Sequence, residues 1–505
     1  MRTKKALLNS LSSLLLQLVS VVCGFILPRL ILSAFGSEVN GAVSSIAQFL
    51  GYISLLEAGV GGVTRAALYK PLAQGDSRRI SAVVNATQGF FKKIAYLFLV
   101  YTLVLACAFQ TISGTGLGWS FTFFLVLILA ASIFAQYYFG ITYMLVLQAD
   151  QKTYVTNGLQ ISMVVLNTIL SVILLQLGCG IHTVKLASAF VYVLKPVLLN
   201  VLVRKRYGLD KSVPADYEAI RQRWDGLGHH IAFFIHNNTD VFVITMCLGL
   251  KWVSVYSVYL LIVGGVRNIV NSLAGGGEAA FGNMIAKKEY DILNERFRMI
   301  ETLTSFIVIS FFTATGLLLF DFVGIYTANV EDINYHVVPF GILFVISEAL
   351  HCIKQTYHNL VLAAGHYKQT RCGAFVEAGL NLGLSFLFVP FFGVTGVLAA
   401  TIAATFIRML DYVRHLQKNV LCRPMRVFWK RQAINVLNAG TILALFRLFP
   451  LRRATDYTAW AFKAVPVVFL SLSVTLLYNM LFYRKDVSDI FTRVAGVITR
   501  KSKKE

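Results

Sequence analysis

The sequence predicts an all-α polytopic membrane protein of about 14 transmembrane helices, arranged as two parallel-repeat six-helix bundles plus two C-terminal helices. Three observations carry this. The 505 residues are 57% hydrophobic and only 14% charged, with a mean hydropathy of +0.68, far from soluble averages. Apolar runs of roughly 20 residues, enough to cross a bilayer, recur between short polar breaks. A weak internal repeat relates the two halves.

In chain order the expected spans are 9–34, 40–63, 88–112, 119–146, 154–177, 183–203, 226–248, 252–274, 301–325, 336–359, 372–391, 394–413, 431–450 and 459–483. The start, "MRTKKALLNSLSSLLLQLVSVVCG", has a basic head and an apolar run. It lacks a small-x-small cleavage pattern, so it reads as a retained first span. An even number of spans puts both termini on one side. With Met1 inside, about 36 of the 46 Lys and Arg fall in inner loops or inner helix ends. This is the positive-inside bias of a cytoplasmic membrane, and the formal net charge of +22 follows from it and from contact with anionic lipids. Nucleic acid is not implied. The six cations expected outside are Lys185, Lys251, Arg447, Arg452, Arg453 and Lys463. Outer loops are short, which leaves no room for an extracytoplasmic catalytic domain.

The seven cysteines are scattered, so no metal site or disulfide framework follows, and most are expected to pack as small apolar residues. No cofactor motif is found. The repeat aligns "LVLQA" at Leu145–Ala149 with "LVLAA" at Leu360–Ala364, Asn167 and Ser171 with Asn381 and Ser385, and Gly180 and Val184 with Gly393 and Val397. The offset drifts only from 215 to 213 residues, about six helices. Six is even, so the halves share one orientation, as in transporters built from parallel repeats. The expected organisation is a lobe at 1–203, a cytoplasmic linker at 204–225, a second lobe at 226–415, two extra helices at 416–483 and a basic cytoplasmic tail at 484–505.

Charges inside spans carry the functional signal, because each costs about 2.5–3.5 kcal/mol at mid-membrane unless paired, solvated or snorkelled. Arg29, Lys195, Arg267 and Lys354 lie within spans, and Arg408 is the repeat equivalent of Lys195. Gly264, Arg267 and Asn271 share one helical face. Ser54, Glu57, Gly61 and Arg65 occupy an arc of about 80° on an ideal helix. His236 and Asp240 stand one turn apart, close enough to share or relay a proton, or to pair two helices. Arg29 follows Pro28: a bend there would rotate it toward a polar stripe, and otherwise it snorkels outward.

The motifs "R-x6-G-S-E-V-N-G" (Arg29 to Gly41), "LLEAGVGG" (Leu55–Gly62), "LYKPLAQGD" (Leu68–Asp76) and "LVLAAGHYKQT" (Leu360–Thr370) resemble the polysaccharide transporters of the multidrug/oligosaccharidyl-lipid/polysaccharide exporter superfamily. Within it they are most similar to bacterial flippases of O-antigen and capsule repeat units. The resemblance implies two six-helix lobes around a cavity and movement of a polyprenyl-pyrophosphate-linked oligosaccharide across the bacterial cytoplasmic membrane, without enzymatic chemistry. It also implies other polysaccharide-assembly proteins as partners. Arg29 and Glu57 fall on the family's recurrent Arg and Glu, while Ser33 stands where many members have Arg. The expected substrate-binding set is Arg267, Arg29, Asn271, Lys354, Arg65, Lys195 and Arg408, with Asp240, His236 and Glu57 for ion coupling or internal pairing. Alternatives are a cation-coupled multidrug or metabolite exporter of the same superfamily, a peptidoglycan-precursor lipid flippase, and a membrane polymerase or glycosyltransferase.

Overall fold

Long apolar runs fold as helices because in lipid every backbone group must be satisfied within its own segment. The computed structural model describes residues 2–57, 59–224, 238–274, 278–448 and 452–492. Its helices are α1 Arg2–Leu50, α2 Val60–Gln74, α3 Ser77–Ser113, α4 Trp119–Ala135, α5 Ile141–Ala149, α6 Thr153–Gln176 and α7 Ile181–Tyr207. A helix α8 covers 238–247. There follow α9 Leu250–Ala274, α10 Glu278–Ala286, α11 Tyr290–Tyr326, α12 Val338–Ala363, α13 Tyr367–Phe392, α14 Val394–Asn419, α15 Arg426–Leu448 and α16 Tyr457–Phe482, and a short α17 at 484–492.

Eleven stretches among the described residues are long and apolar enough to cross a membrane, so this is a multi-pass membrane protein. The difference from fourteen has local causes. The stretch Leu7–Glu57 is continuous but broken at Gly36, whose φ of 79° no side-chain-bearing residue adopts readily, so it holds the first expected span and part of the second. The seventh expected span falls largely on residues outside the described set. The thirteenth corresponds to α15, helical but not among the eleven.

Pro28 keeps helical dihedrals inside α1, and the non-helical position of that helix is Gly36. One expectation about the first spans is corrected. The second expected span is not one helix: Gly51–Glu57 tightens to a 3-10 turn and the chain restarts at Val60, so the arc of Ser54, Glu57, Gly61 and Arg65 does not form. The cysteines also differ. All seven are free, but only Cys352 is buried, while Cys107, Cys247, Cys372 and Cys422 are exposed.

The chain forms two compact units. The first comprises Met1–Ser257 and Asn329–Ile333; the second comprises Val258–Ala328 and Asn334–Glu505. In the first, the stretch after Gly36 is pinned by polar bonds: Asp332 accepts from Ser37 N–H at 2.8 Å and Ser37 Oγ at 2.5 Å, Asn40 donates to Ser254 at 2.7 Å, and Ser45 meets Thr245 at 2.8 Å. A Cβ on Gly41 would sit 1.8 Å from the Leu250 carbonyl oxygen, so only glycine allows this backbone approach. The end where α1 begins is tied by Asp150, which accepts from Lys5 at 3.1 Å and Tyr207 at 2.5 Å and pairs with Lys152.

The repeat is visible within each unit separately. Gly180 and Gly393 start α7 and α14. Asn167 and Asn381 are buried on α6 and α13. Asn167 donates to Tyr192 of α7 at 3.4 Å and Asn381 accepts from Thr401 of α14 at 3.2 Å, while Ser171 meets Ser188 at 3.4 Å. Each half thus uses polar side chains to hold one antiparallel helix pair in lipid.

Candidate functional site

The intramembrane charges of the second unit form one chain. On α9, Gly264 lies beside the Arg267 guanidinium, where an added Cβ would make an ordinary contact 3.9 Å from Nη2. Arg267 Nη1 donates to both carboxylate oxygens of Glu348 on α12, each at 3.1 Å. The Arg267 side chain is 27% exposed and that of Glu348 11%, so this pair is at the open end of the chain. Lys354, under two turns further along α12, donates to Glu377 of α13 at 2.6 Å, and both are buried. Glu377 also lies 3.7 Å from Arg408 of α14. Arg408 is only 2% exposed; it pairs with Asp411 at 2.6 Å and donates to Tyr412 Oη at 2.9 Å, with the guanidinium 4.0 Å from that ring. Gly373 makes the crossing possible, because a Cβ there would meet Arg408 Nη1 at 2.0 Å.

Three cations therefore face three carboxylates. This is what a low-dielectric interior demands, since an unpaired charge there is far costlier than a pair. The chain brings Arg267, Lys354 and Arg408 into one row. Its accessible member is Arg267, which spends only Nη1 on Glu348. Among the described residues Nη2 and Nε make no hydrogen bond, leaving one edge of the fork for an incoming acceptor. Asn271 lies on the same helix, half-buried.

The other expected residues lie in the first unit. Glu57 accepts from Tyr137 at 3.1 Å, placed there by a π-turn at Gln136–Gly140; such turns often mark functional positions. Arg65 donates to Gln148 at 2.9 Å and Lys195 to Gln160 at 2.6 Å. Asp240 is buried and accepts from Tyr256 at 3.0 Å. Arg29 is half-buried on α1. His236 lies outside the described residues, so the pairing with Asp240 is not part of the observed site.

Sequence reasoning missed a second buried network in the second unit. Glu301 of α11 accepts from Tyr357 at 2.8 Å and Arg423 at 2.7 Å, and next to it Thr302 accepts from Arg431 at 2.9 Å and donates to Asp486 at 2.9 Å. A buried acid at position 301, at the very start of an expected span, was the available signal. This network fastens α15 and α17 to α11. Among the described residues no group of three or more His, Cys, Asp or Glu is placed to hold a metal ion.

No family model matches the chain, and no curated protein matches it significantly. Solved structures do. The chain superposes on a structure described as the lipid II flippase MurJ in an inward closed conformation with a TM-score of 0.71 and 13% identity, covering 95% of this chain and 100% of that one. A multidrug resistance MATE family transporter of the MOP superfamily, in an inward-facing conformation, gives a TM-score of 0.62 at 15% identity over 79% of this chain and 95% of that one. The chain shares the fold of these two transporters. The eukaryotic MATE transporter AtDTX14 matches at 0.54 and 12% identity, over 82% and 95% of the two chains.

Proposed function

We infer that this protein is a flippase that moves a polyprenyl-pyrophosphate-linked oligosaccharide repeat unit across the cytoplasmic membrane by alternating access, for surface polysaccharide synthesis. The observation that carries the reading is Arg267: a guanidinium inside a membrane span, partly accessible, with one edge of its fork uncommitted. A diphosphate with sugars attached cannot cross hydrocarbon unaided, whereas its prenyl chain stays in lipid. A planar cation that exchanges water for charge-assisted hydrogen bonds meets that requirement. Lys354 and Arg408 sit behind Arg267 as further cations of the same row. Arg29, Arg65, Lys195 and Asn271 remain proposed contacts for the head group, and Glu57 and Asp240 proposed sites of coupling or pairing. The proposed lobes are 1–203 and 226–415, with 416–483 added, both termini cytoplasmic, and other polysaccharide-assembly proteins as partners.

A second substrate is favoured by one observation. The structure with the TM-score of 0.71 is described as a lipid II flippase, so a peptidoglycan precursor is a consistent cargo for this chain. Deleting the gene and analysing the accumulated lipid separates the two. An inner-leaflet lipid-linked repeat unit supports the first reading, and accumulated peptidoglycan precursor replaces it. Arg267→Ala that inserts normally should abolish export; unimpaired export would remove Arg267 from the site. Because the open edge is bidentate, Arg267→Lys should lose nearly as much as the alanine variant.

A further inference from the structure

Away from the charge row, the second unit holds a cavity of about 440 Å3 lined by Phe320, Asp321, Ile325, His336, Arg453 and Thr455 among others. It lies where α11 ends at Tyr326 and where α12 and α16 begin at Val338 and Tyr457. All three helices are long and apolar enough to cross a membrane, and a cavity at their shared ends then falls at the membrane surface. The aromatic residues around it agree. Phe322 packs on Trp460 at 5.0 Å and Tyr457 at 5.9 Å, and Trp460 Nε1 donates to the Leu318 carbonyl at 3.2 Å. Trp and Tyr collect at head-group depth because one end is apolar and the other wet.

The wall is built rather than incidental. Asp321 Oδ2 accepts from Ala454 N–H at 3.1 Å and from Lys463 at 2.7 Å. That pair is 12% and 10% exposed, so Asp321 is neutralised and holds the segment before α16 against α11. Besides the Thr455 hydroxyl, two polar side chains then remain for a ligand. Arg453 lines the cavity, is exposed, and has no hydrogen bond or ion pair among the described residues. The His336 ring leans on Phe320 at 5.2 Å with its nitrogens uncommitted among those residues. The loop before α16 that carries Arg453 also carries Arg452, five residues after Arg447 at the end of α15. In the proposed topology this loop lies outside, where cations are sparse.

We propose that this cavity binds the diphosphate head group of a polyprenyl lipid at the membrane surface, with Arg453 and His336 donating to the phosphate oxygens and the prenyl chain remaining in the bilayer. The identity of the lipid rests on the flippase reading; the site itself does not. The diphosphate is favoured over an ordinary phosphodiester because it carries more negative charge and more free oxygens for a guanidinium and an imidazole to meet.

The test uses the full chain in phosphatidylcholine nanodiscs, with farnesyl diphosphate, inorganic pyrophosphate and phosphatidylglycerol as separate probes and native mass spectrometry to count bound molecules. One farnesyl diphosphate should be lost, its affinity falling about tenfold or more, in Arg453→Ala and in His336→Ala. It should be retained in Arg452→Ala, whose neighbouring charge does not line the cavity, and any molecule lost in Arg267→Ala should be a separate one, with the Arg453-dependent molecule still bound. Loss in Arg267→Ala alone would overturn this site and leave the flippase reading standing. Loss sensitive to Arg453 alone would support this site even if Arg267 proved silent. Equal losses in the Arg452 and Arg453 variants would reduce the effect to surface charge and overturn the proposal. Pyrophosphate or phosphatidylglycerol binding as tightly as farnesyl diphosphate would overturn the lipid-diphosphate assignment. Arg453 is exposed and His336 stands on a different segment, so one misfolded variant leaves the other to decide.

Discussion

Glu377 is the link on which the charge row depends, and removing it alone should be far worse than removing it together with Lys354. In Glu377→Gln the Lys354 ammonium, 7% exposed, loses the negative charge of its 2.6 Å partner, and Arg408 keeps only Asp411 as a carboxylate, beside Tyr412. Leaving one buried charge without its partner costs about 3–5 kcal/mol. Lys354→Met should cost less, about 3 kcal/mol, because Glu377 can still turn to Arg408, 3.7 Å away. The double variant Lys354→Met/Glu377→Gln removes both charges at similar volume and should lie within about 1–2 kcal/mol of the parent. The coupling energy in the cycle is then several kcal/mol. Reversible unfolding of the four proteins in one detergent, followed by helical signal, measures it. A Glu377→Gln protein as stable as the parent, or a double variant equal to the sum of the singles, would refute the claim that these groups neutralise one another.

Gly373→Ala should break the same row from the other side: its Cβ would stand 2.0 Å from Arg408 Nη1 and 2.2 Å from Asp411 Oδ2, a crowding worth about 1–3 kcal/mol, and an unchanged melting temperature would show that Arg408 has slack. Gly41→Ala should be more damaging, because the obstacle is the Leu250 carbonyl at 1.8 Å and a backbone cannot rotate away; normal folded yield of that variant would contradict the close approach of α1 and α9. Asp150 gives a pH signature. Partial burial pushes its carboxyl up, but bonds from Lys152, Tyr207 and Lys5 outweigh this and hold it below its ordinary 3.8. A depressed folded value means stabilisation that is complete above 3.8 and lost as pH falls through the lower folded value. Asp150→Asn should therefore be destabilised relative to the parent at neutral pH, with the gap closing below pH 3.8. A gap independent of pH would mean the charge of Asp150 contributes nothing.

The internal repeat shows how far residue patterns reach. Asn167 and Asn381 stand at matching places because each must bond within its own helix pair. That need leaves the same polar residue at the same step in both halves. The charged residues behave differently. Arg267 and Lys354 were visible as anomalies in apolar runs, but their partners Glu348 and Glu377 lie 81 and 23 residues away on other helices. Periodicity places a residue on a face of its own helix and says nothing about which helix that face meets. The same limit explains Glu57 and Arg65, which share an arc on an ideal helix. A 3-10 turn and a restart at Val60 send them to Tyr137 and Gln148 instead.

Hydropathy by itself determined that this chain crosses a membrane many times as helices, and the spacing of its matching residues determined that it is built twice over. Both follow from short-range physics: lipid forces each segment to satisfy its own backbone, whatever its neighbours. Only the tertiary structure decided which buried charge answers which, that the α1 break falls at Gly36 and not Pro28, and that Arg267 keeps a free edge while Lys354 and Arg408 do not stand open. Those outcomes depend on helix contacts between residues far apart in the chain, where a shift of one turn exchanges every partner.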